Sequence, residues 1–250
     1  MEHLREGLIV LWVVAIGVYL AKLFIPWWNE FTLIGKLGGD KKWRIGIPNK
    51  MAWCMFYGFS VGMVFVSFII RYPPGIPNIL LMIHSLRRLM ESLFMTRFSP
   101  REIHFVNFCA GLLFYVMSPM SLVMSQENNR VVCSILGILS IILNGLQFRV
   151  HYTLSRLKKY SIPQGGLFRY LTSPHYFLEM SLYLVYFLSA PSIITFLMVF
   201  FVMFNLTHAS IMTYNFYREK FGEEFVSLGR GSVLPCDGGA KWLERHMSMK

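Results

Sequence analysis

Apolar stretches long enough to cross a bilayer recur along almost all of this 250-residue chain, and that property removes most folds from consideration. Hydrocarbon offers no partner to a bare peptide group, so a crossing segment must satisfy its own N–H and C=O groups, as a helix of about 17–25 residues does. Such runs fall near Leu8–Trp28, Met51–Ile70, Ile79–Phe98, Ile103–Met124, Val131–Phe148, Tyr176–Ala190 and Ser192–Thr207. The expectation is an all-α integral membrane protein of about seven transmembrane helices, in which the third run carries charges and the last two are short. A 55% hydrophobic composition and a mean hydropathy of +0.49 agree with the membrane class. The first run is too long for a signal-peptide core and has no convincing small-residue cleavage site, so it reads as a retained helix.

The net charge of +11 would suit nucleic acid, but its distribution argues against that partner. Lys36, Lys41, Lys42, Arg44 and Lys50 lie between runs one and two, Arg97 and Arg101 between three and four, and Arg149, Arg156, Lys158, Lys159 and Arg169 between five and six. Arg218, Lys220, Arg230, Lys241, Arg245 and Lys250 follow the seventh, while the alternate turns hold only Arg71 and Arg130. Cytosolic loops collect Lys and Arg, so this alternation places the N-terminus in the lumen and the C-terminus in the cytosol. The run Tyr72–Pro77 breaks one helix and starts the next, and the glycine-rich stretch after Phe221 predicts mostly irregular structure.

The basic loop Ser155–Glu179 combines arginines and lysines with a Gly-Gly turn and a helix start, features that suit a phosphate because helix N-termini offer unpaired N–H groups and a positive dipole end. The plainer reading is a loop that only sets topology. No metal site is expected: His84, His151, His175 and His208 lack ligand spacing, and no His-Glu-x-x-His occurs. Cys54, Cys109 and Cys133 lie inside apolar runs and Cys236 stands alone, which argues against a disulfide framework. There is no Gly-x-Gly-x-x-Gly either, so loops and helix ends must hold any nucleotide.

Charged groups within a membrane helix cost roughly 2.5–3.5 kcal/mol each, so they require a protein or aqueous environment. His84, Arg88 and Glu91 share one helical face at i, i+4 and i+7. Arg87 or Arg88 can neutralise Glu91 at helical spacing, which is the purely structural reading; a histidine on the same face points instead to a polar cavity. Asn144, Gln147 and His151 form a second stripe at i, i+3 and i+7. Ser173 is a plausible N-cap before Pro174, with Glu179 just inside that helix. Asn205, His208, Tyr214, Asn215, Tyr217 and Arg218 continue the polar series along the seventh run. Four polar stripes near the same membrane face resemble a buried site open to the cytosol.

At His84-Ser-Leu-Arg-Arg-Leu-Met-Glu-Ser92, His151–Lys158, Ile162–Glu179 and Phe216–Phe221 the chain resembles the steroid 5α-reductase family, in its polyprenol (polyprenal) reductase branch. The likeness runs from about residue 48 to 235 within what reads as a single membrane-embedded reductase domain, with 236–250 an added tail. The resemblance implies an endoplasmic reticulum enzyme that uses NADPH to reduce a carbon–carbon double bond conjugated to a carbonyl. It also implies cofactor contacts by Arg97, Asn144, Glu179 and Tyr217, with His151, Arg156 and Tyr170 in the matching pieces and His175 where many relatives carry asparagine. Tyr214 stands where the branch usually has histidine. Steroid-specific members place a tyrosine after the third-helix histidine and pair it with an acid or amide on the second helix. Here that position is Ser85, and Met51–Ile70 contains neither.

The expected catalytic set is His84, Ser85, Arg88 and Glu91, with His84 donating to the oxygen that gains charge during reduction. The expected substrate is a long-chain isoprenoid enal from the membrane, on the route to dolichol for N-glycosylation. The alternatives are a steroid 5α-reductase or trans-2-enoyl-CoA reductase, an isoprenylcysteine-type methyltransferase, and a non-enzymatic multipass scaffold whose polar stripes only hold helices together.

Overall fold

The computed structural model describes residues 2–24, 46–100, 102–157 and 161–233. The end of the first apolar run, most of the Gly35–Asn49 loop, Arg101, Lys158, Lys159 and the tail 236–250 lie outside the described residues. Among the described residues seven long helices follow one another: α1 (Glu2–Phe24), α2 (Asn49–Ile70), α3 (Ile76–Met90), α4 (Phe105–Val123), α5 (Arg130–Arg156), α6 (Pro174–Ser189) and α7 (Ile193–Phe221). A single turn, α8 (Glu223–Val226), comes last.

Five of these, α1, α2, α4, α5 and α7, are long and apolar enough to cross a membrane, which makes this a multi-pass membrane protein. The remaining two differ from expectation. α3 has 15 residues before it passes into a π-helical turn, Glu91–Met95, and α6 has 16, so neither α-helix alone reaches about 17 residues. Two three-residue strands, β1 (Gly46–Pro48) and β2 (Glu102–His104), pair antiparallel with Ile47 opposite Ile103, a small addition to an otherwise helical chain. The stretch after Phe221 is more ordered than its glycines suggest, since it forms α8 and a short parallel bridge between Leu171 and Gly231.

The chain divides into two compact units, one of residues 1–140 and 185–201, the other of residues 141–184 and 202–250. In the first unit, α2 packs on α3 and α4. Phe56 stacks on Phe108 and Tyr115 at 5.5 and 5.6 Å, and Ala52 and Ile103 complete that core. The approach of α4 requires Gly111, where a Cβ would come within 2.5 Å of the Phe56 ring. Trp12 anchors α1: its indole N–H donates to Ser121 Oγ on α4 at 2.9 Å and its ring meets Phe114 and Phe201. Most of the rest of α1 is exposed apolar surface, as are Phe59, Phe65 and Ile69 of α2. Water would penalise so much apolar area, whereas lipid matches it.

In the second unit, Val150, Phe168 and Leu178 form the core that seats the loop between α5 and α6. Gly165 and Gly166 both have positive φ, 82° and 51°, and lead into a 3₁₀ turn, Gly166–Arg169. Only glycine takes up the Gly165 conformation, φ 82° and ψ 167°, without strain. The segment around Gly231 then ties this loop down. Thr172 N–H and Oγ1 both donate to Gly231 O, Ser173 N–H donates to Ser232 O, and Gly231 N–H donates to Tyr170 O.

Candidate functional site

α3 buries its polar side chains together with Leu80, Leu81 and Met82 and exposes a purely apolar stripe. Ile79, Ile83, Leu86 and Met90 are exposed at helical spacing, while His84, Ser85, Glu91 and Ser92 are each 1–2% exposed. Glu91 is the hub of this face. Arg87 donates to its Oε1 and Arg88 donates to Oε2 at 2.5 Å. Arg88 Nε also donates to the Tyr57 hydroxyl of α2 at 3.0 Å, with its guanidinium 4.9 Å from that ring's centre. The π-helical turn begins at Glu91 and closes with Thr96 N–H donating to Glu91 O, an irregularity that recurs at functional positions.

His84 is not bonded to Glu91 by any of these contacts but reaches it through Arg87, whose Nη2 lies 3.3 Å from His84 Nδ1. A guanidinium has only donors, so Nδ1 accepts and the neutral ring carries its proton on Nε2. The ring also meets Tyr186 edge-on at 6.4 Å. Ser85 turns toward α2, where its hydroxyl shares a 2.7 Å hydrogen bond with Ser60. The expected set of His84, Ser85, Arg88 and Glu91 is thus assembled on one buried face, and the structure adds Arg87, Tyr57 and Ser60. Arg97 lies just past the π turn and is exposed.

The second unit carries the other polar groups. Gln147 donates through Nε2 to Glu179 Oε2 at 2.6 Å and to the His175 carbonyl at 3.1 Å, joining α5 to α6. Asn144 is buried one turn earlier, and the His151 ring lies 5.9 Å from that of His175, which packs on Tyr176 at 4.1 Å. On α7, Tyr217 stacks on Phe221 and Phe225. Arg230 is buried and donates to Pro163 O at 2.7 Å. Burial lowers its pKa below the usual arginine value, with Tyr217 acting in the opposite sense.

Ser173 occupies the position before α6, but its hydroxyl makes no capping bond. Ser173 Oγ, Ser210 Oγ and Asn215 Oδ1 are buried polar atoms with no hydrogen-bond partner among the described residues. Leaving such groups unpaired costs about 1–3 kcal/mol each, so they call for a ligand that brings both donors and acceptors. A nicotinamide carboxamide does so, and with Glu179, Gln147, Arg218 and Arg230 in the same unit the residues present fit a nicotinamide dinucleotide.

Three predicted members stand apart from this set, Arg97 of the first unit among them. Tyr170 is 61% exposed, and Arg156 lies on the exposed side of α5 with its guanidinium 5.2 Å from the Tyr152 ring. Sequence reasoning noted Gln147 in its polar stripe but gave it no role. It missed Arg87 as the partner of His84 and Arg230 as the loop's anchor. Among the described residues no cluster of three or more His, Cys, Asp or Glu side chains is arranged to hold a metal ion.

Residues 95–235 match the family model described as 3-oxo-5-alpha-steroid 4-dehydrogenase, so the chain belongs to that family, the steroid 5α-reductases. Within it, the chain lies on the branch whose members are named polyprenal reductase. It is 33% identical over 167 residues to the polyprenal reductase of Xenopus tropicalis, covering 57% of this chain and 54% of that protein. The Homo sapiens protein is 29% identical over 170 residues, with the same coverage of 57% and 54%. That of Saccharomyces cerevisiae is 30% identical over 148 residues, covering 58% of each. The chain thus spans about half the length of the curated relatives it matches.

Proposed function

We propose that the protein is an NADPH-dependent oxidoreductase that reduces the α-isoprene double bond of a polyprenal in the endoplasmic reticulum membrane, on the route to dolichol. The observation that carries this assignment is the match to polyprenal reductases together with the polar groups buried without a protein partner in the unit that holds Gln147 and Glu179. Seven membrane helices, a lumenal N-terminus and a cytosolic C-terminus complete the proposal.

NADPH, when bound, supplies the hydride. Asn144, His151, His175, Glu179 and Tyr217 would hold it. Gln147 holds the Glu179 carboxylate in place, and Ser173, Ser210 and Asn215 gain partners they lack among the described residues. Arg230 holds the loop that precedes α6 in place.

The α3 face would serve the substrate. Reduction of a conjugated enal places negative charge on the carbonyl oxygen, which needs a donor in a dry environment. Arg87, beside Nδ1, sets the tautomer of His84 with the proton on Nε2, the donor of this proposal. Glu91 keeps Arg87 and Arg88 in place, and Tyr57 steadies Arg88. Where a steroid-specific enzyme would carry a tyrosine, this chain has Ser85, bonded to Ser60 of α2, which leaves room for a flexible isoprenoid aldehyde rather than a fixed clamp on a rigid ketone.

The test is NADPH oxidation by the purified full chain with polyprenal, a 3-oxo-Δ4 steroid or an enoyl thioester. Turnover with polyprenal alone is expected, and His84→Ala lowers it about a hundredfold or more while Ser85→Ala has a smaller effect. Efficient steroid reduction, or full polyprenal activity in His84→Ala, refutes the assignment.

A further inference from the structure

The outer side of α5 changes character along its length. Val131, Ile135, Ile138 and Ile142 form an exposed apolar stripe, each 53% exposed or more. Continued at helical spacing, the same stripe becomes Arg149, Tyr152 and Arg156, all exposed. Gln147 and His151 lie on another side of the helix, the one that turns toward α6. The basic end is therefore no extension of the polar site.

Length explains the switch. α5 has 27 residues, a helix of about 40 Å, whereas the hydrocarbon core is about 30 Å thick. The part from Val131 to Phe148 fills most of that core, and the last two turns emerge into the headgroup layer. There the side chains order one another. Phe148 stacks on Tyr152 at 6.5 Å with ring planes 24° apart, and the Arg156 guanidinium lies 5.2 Å from the other end of that aromatic pair. Arg149 and Arg156 stand about 10 Å apart along the axis, on either side of the Tyr152 phenol. Neither arginine has an acidic neighbour on its own helix, because α5 contains no Asp or Glu.

We propose that Arg149, Tyr152 and Arg156 form a seat for the headgroup of an anionic membrane phospholipid. The two guanidiniums meet the phosphate and its added negative charge, the phenol donates to a phosphate or glycerol oxygen, and Phe148 lies against the upper acyl chain. Charge complementarity and depth select this occupant: the stripe leading to the seat already faces lipid tails, so a lipid whose tails lie along Ile138 and Ile142 presents its headgroup at Arg149. A cation at such a surface favours an anionic over a zwitterionic headgroup by about fivefold.

The experiment reconstitutes the full chain in bilayers containing matched photoactivatable phosphatidylserine or phosphatidylcholine probes and maps the crosslinked peptides. The serine lipid is expected to label residues 145–157 at least about fivefold more than the choline lipid. That preference should fall toward parity in about 1 M salt, where screening shortens to roughly 3 Å. Arg149→Gln with Arg156→Gln brings the ratio to near parity, whereas lysine at both positions preserves it. Labelling near Phe65 on the outer side of α2 reports that each variant is folded. Equal labelling of 145–157 by both probes, no labelling by either because a protein surface covers the segment, or a preference unchanged in the glutamine variant overturns the proposal.

Discussion

Replacing Glu91 by alanine strips the carboxylate on which Arg87 and Arg88 converge. Glu91 is 2% exposed and each arginine side chain 15%, so the cluster is well removed from solvent. With Glu91 present it holds two positive charges and one negative; without it, two guanidiniums face each other uncompensated. Stranding a buried charge in this way costs roughly 3–5 kcal/mol. For a chain of this size each kcal/mol moves a melting midpoint by about 2–4 °C, so a loss of roughly 6–20 °C is expected. Arg87→Met should be milder, about 1–3 kcal/mol, because Arg88 and Glu91 remain a balanced pair and only the contacts to Glu91 and His84 are lost. Combining Arg87→Met with Glu91→Ala restores the original net charge and should recover part of the loss. Thermal unfolding of detergent-purified protein, followed by the monodisperse fraction left after heating, reads all three. A Glu91→Ala midpoint within about 2 °C of the parent, or an Arg87→Met variant less stable than Glu91→Ala, would show that the carboxylate does not balance this face.

Three further outcomes follow from the same geometry. Ser60→Ala and Ser85→Ala each leave a buried hydroxyl without its partner and should cost about 1–3 kcal/mol, while the double variant lies closer to the parent in the same unfolding assay. Glu179→Gln and Gln147→Leu should weaken NADPH binding by roughly tenfold to a hundredfold in equilibrium titration, since each loses a hydrogen bond to a charged group; unchanged affinity in both variants would remove the α5–α6 pair from the cofactor site. Gly165→Ala should destabilise by about 1–3 kcal/mol although no atom lies within 4 Å of the added Cβ, so the cost is purely conformational and appears as faster hydrogen exchange in residues 165–173.

Local periodicity made part of this molecule legible and distance in sequence hid the rest. The five crossing helices announce themselves through uninterrupted apolar length, and Pro77 marks the start of α3 where a helix tolerates a missing N–H. Arg87, Arg88 and Glu91 could be paired on paper because i, i+3 and i+4 neighbours meet on any helix. The extent of α3 could not be read so, since apolar character continues to Phe98 while the backbone changes at Glu91 to a π turn. Ser60 with Ser85, Gln147 with Glu179 and Arg230 with Pro163 are 25, 32 and 67 residues apart, and no spacing rule connects them. Ser173 shows the opposite error. Its type and position predicted a cap, yet its hydroxyl is buried and unbonded among the described residues, while Tyr176 N–H, a donor that a cap would accept from, bonds the Ser173 carbonyl instead.

The stitching of Gly231 and Ser232 onto Tyr170–Ser173 also sets a schedule for the newborn chain. Sixty residues separate Ser173 from Val233, and a ribosome adding about 5–20 residues per second needs roughly 3–12 s to make them. Throughout that interval α5 and α6 already exist, but the loop joining them has neither its partner strand nor the Arg230 anchor at Pro163. The loop is completed only by the last described residues, so assembly of this unit finishes after translation has passed them. A chain halted before Arg230 would own every one of the α5 and α6 polar groups and still lack the brace that orders the approach to them.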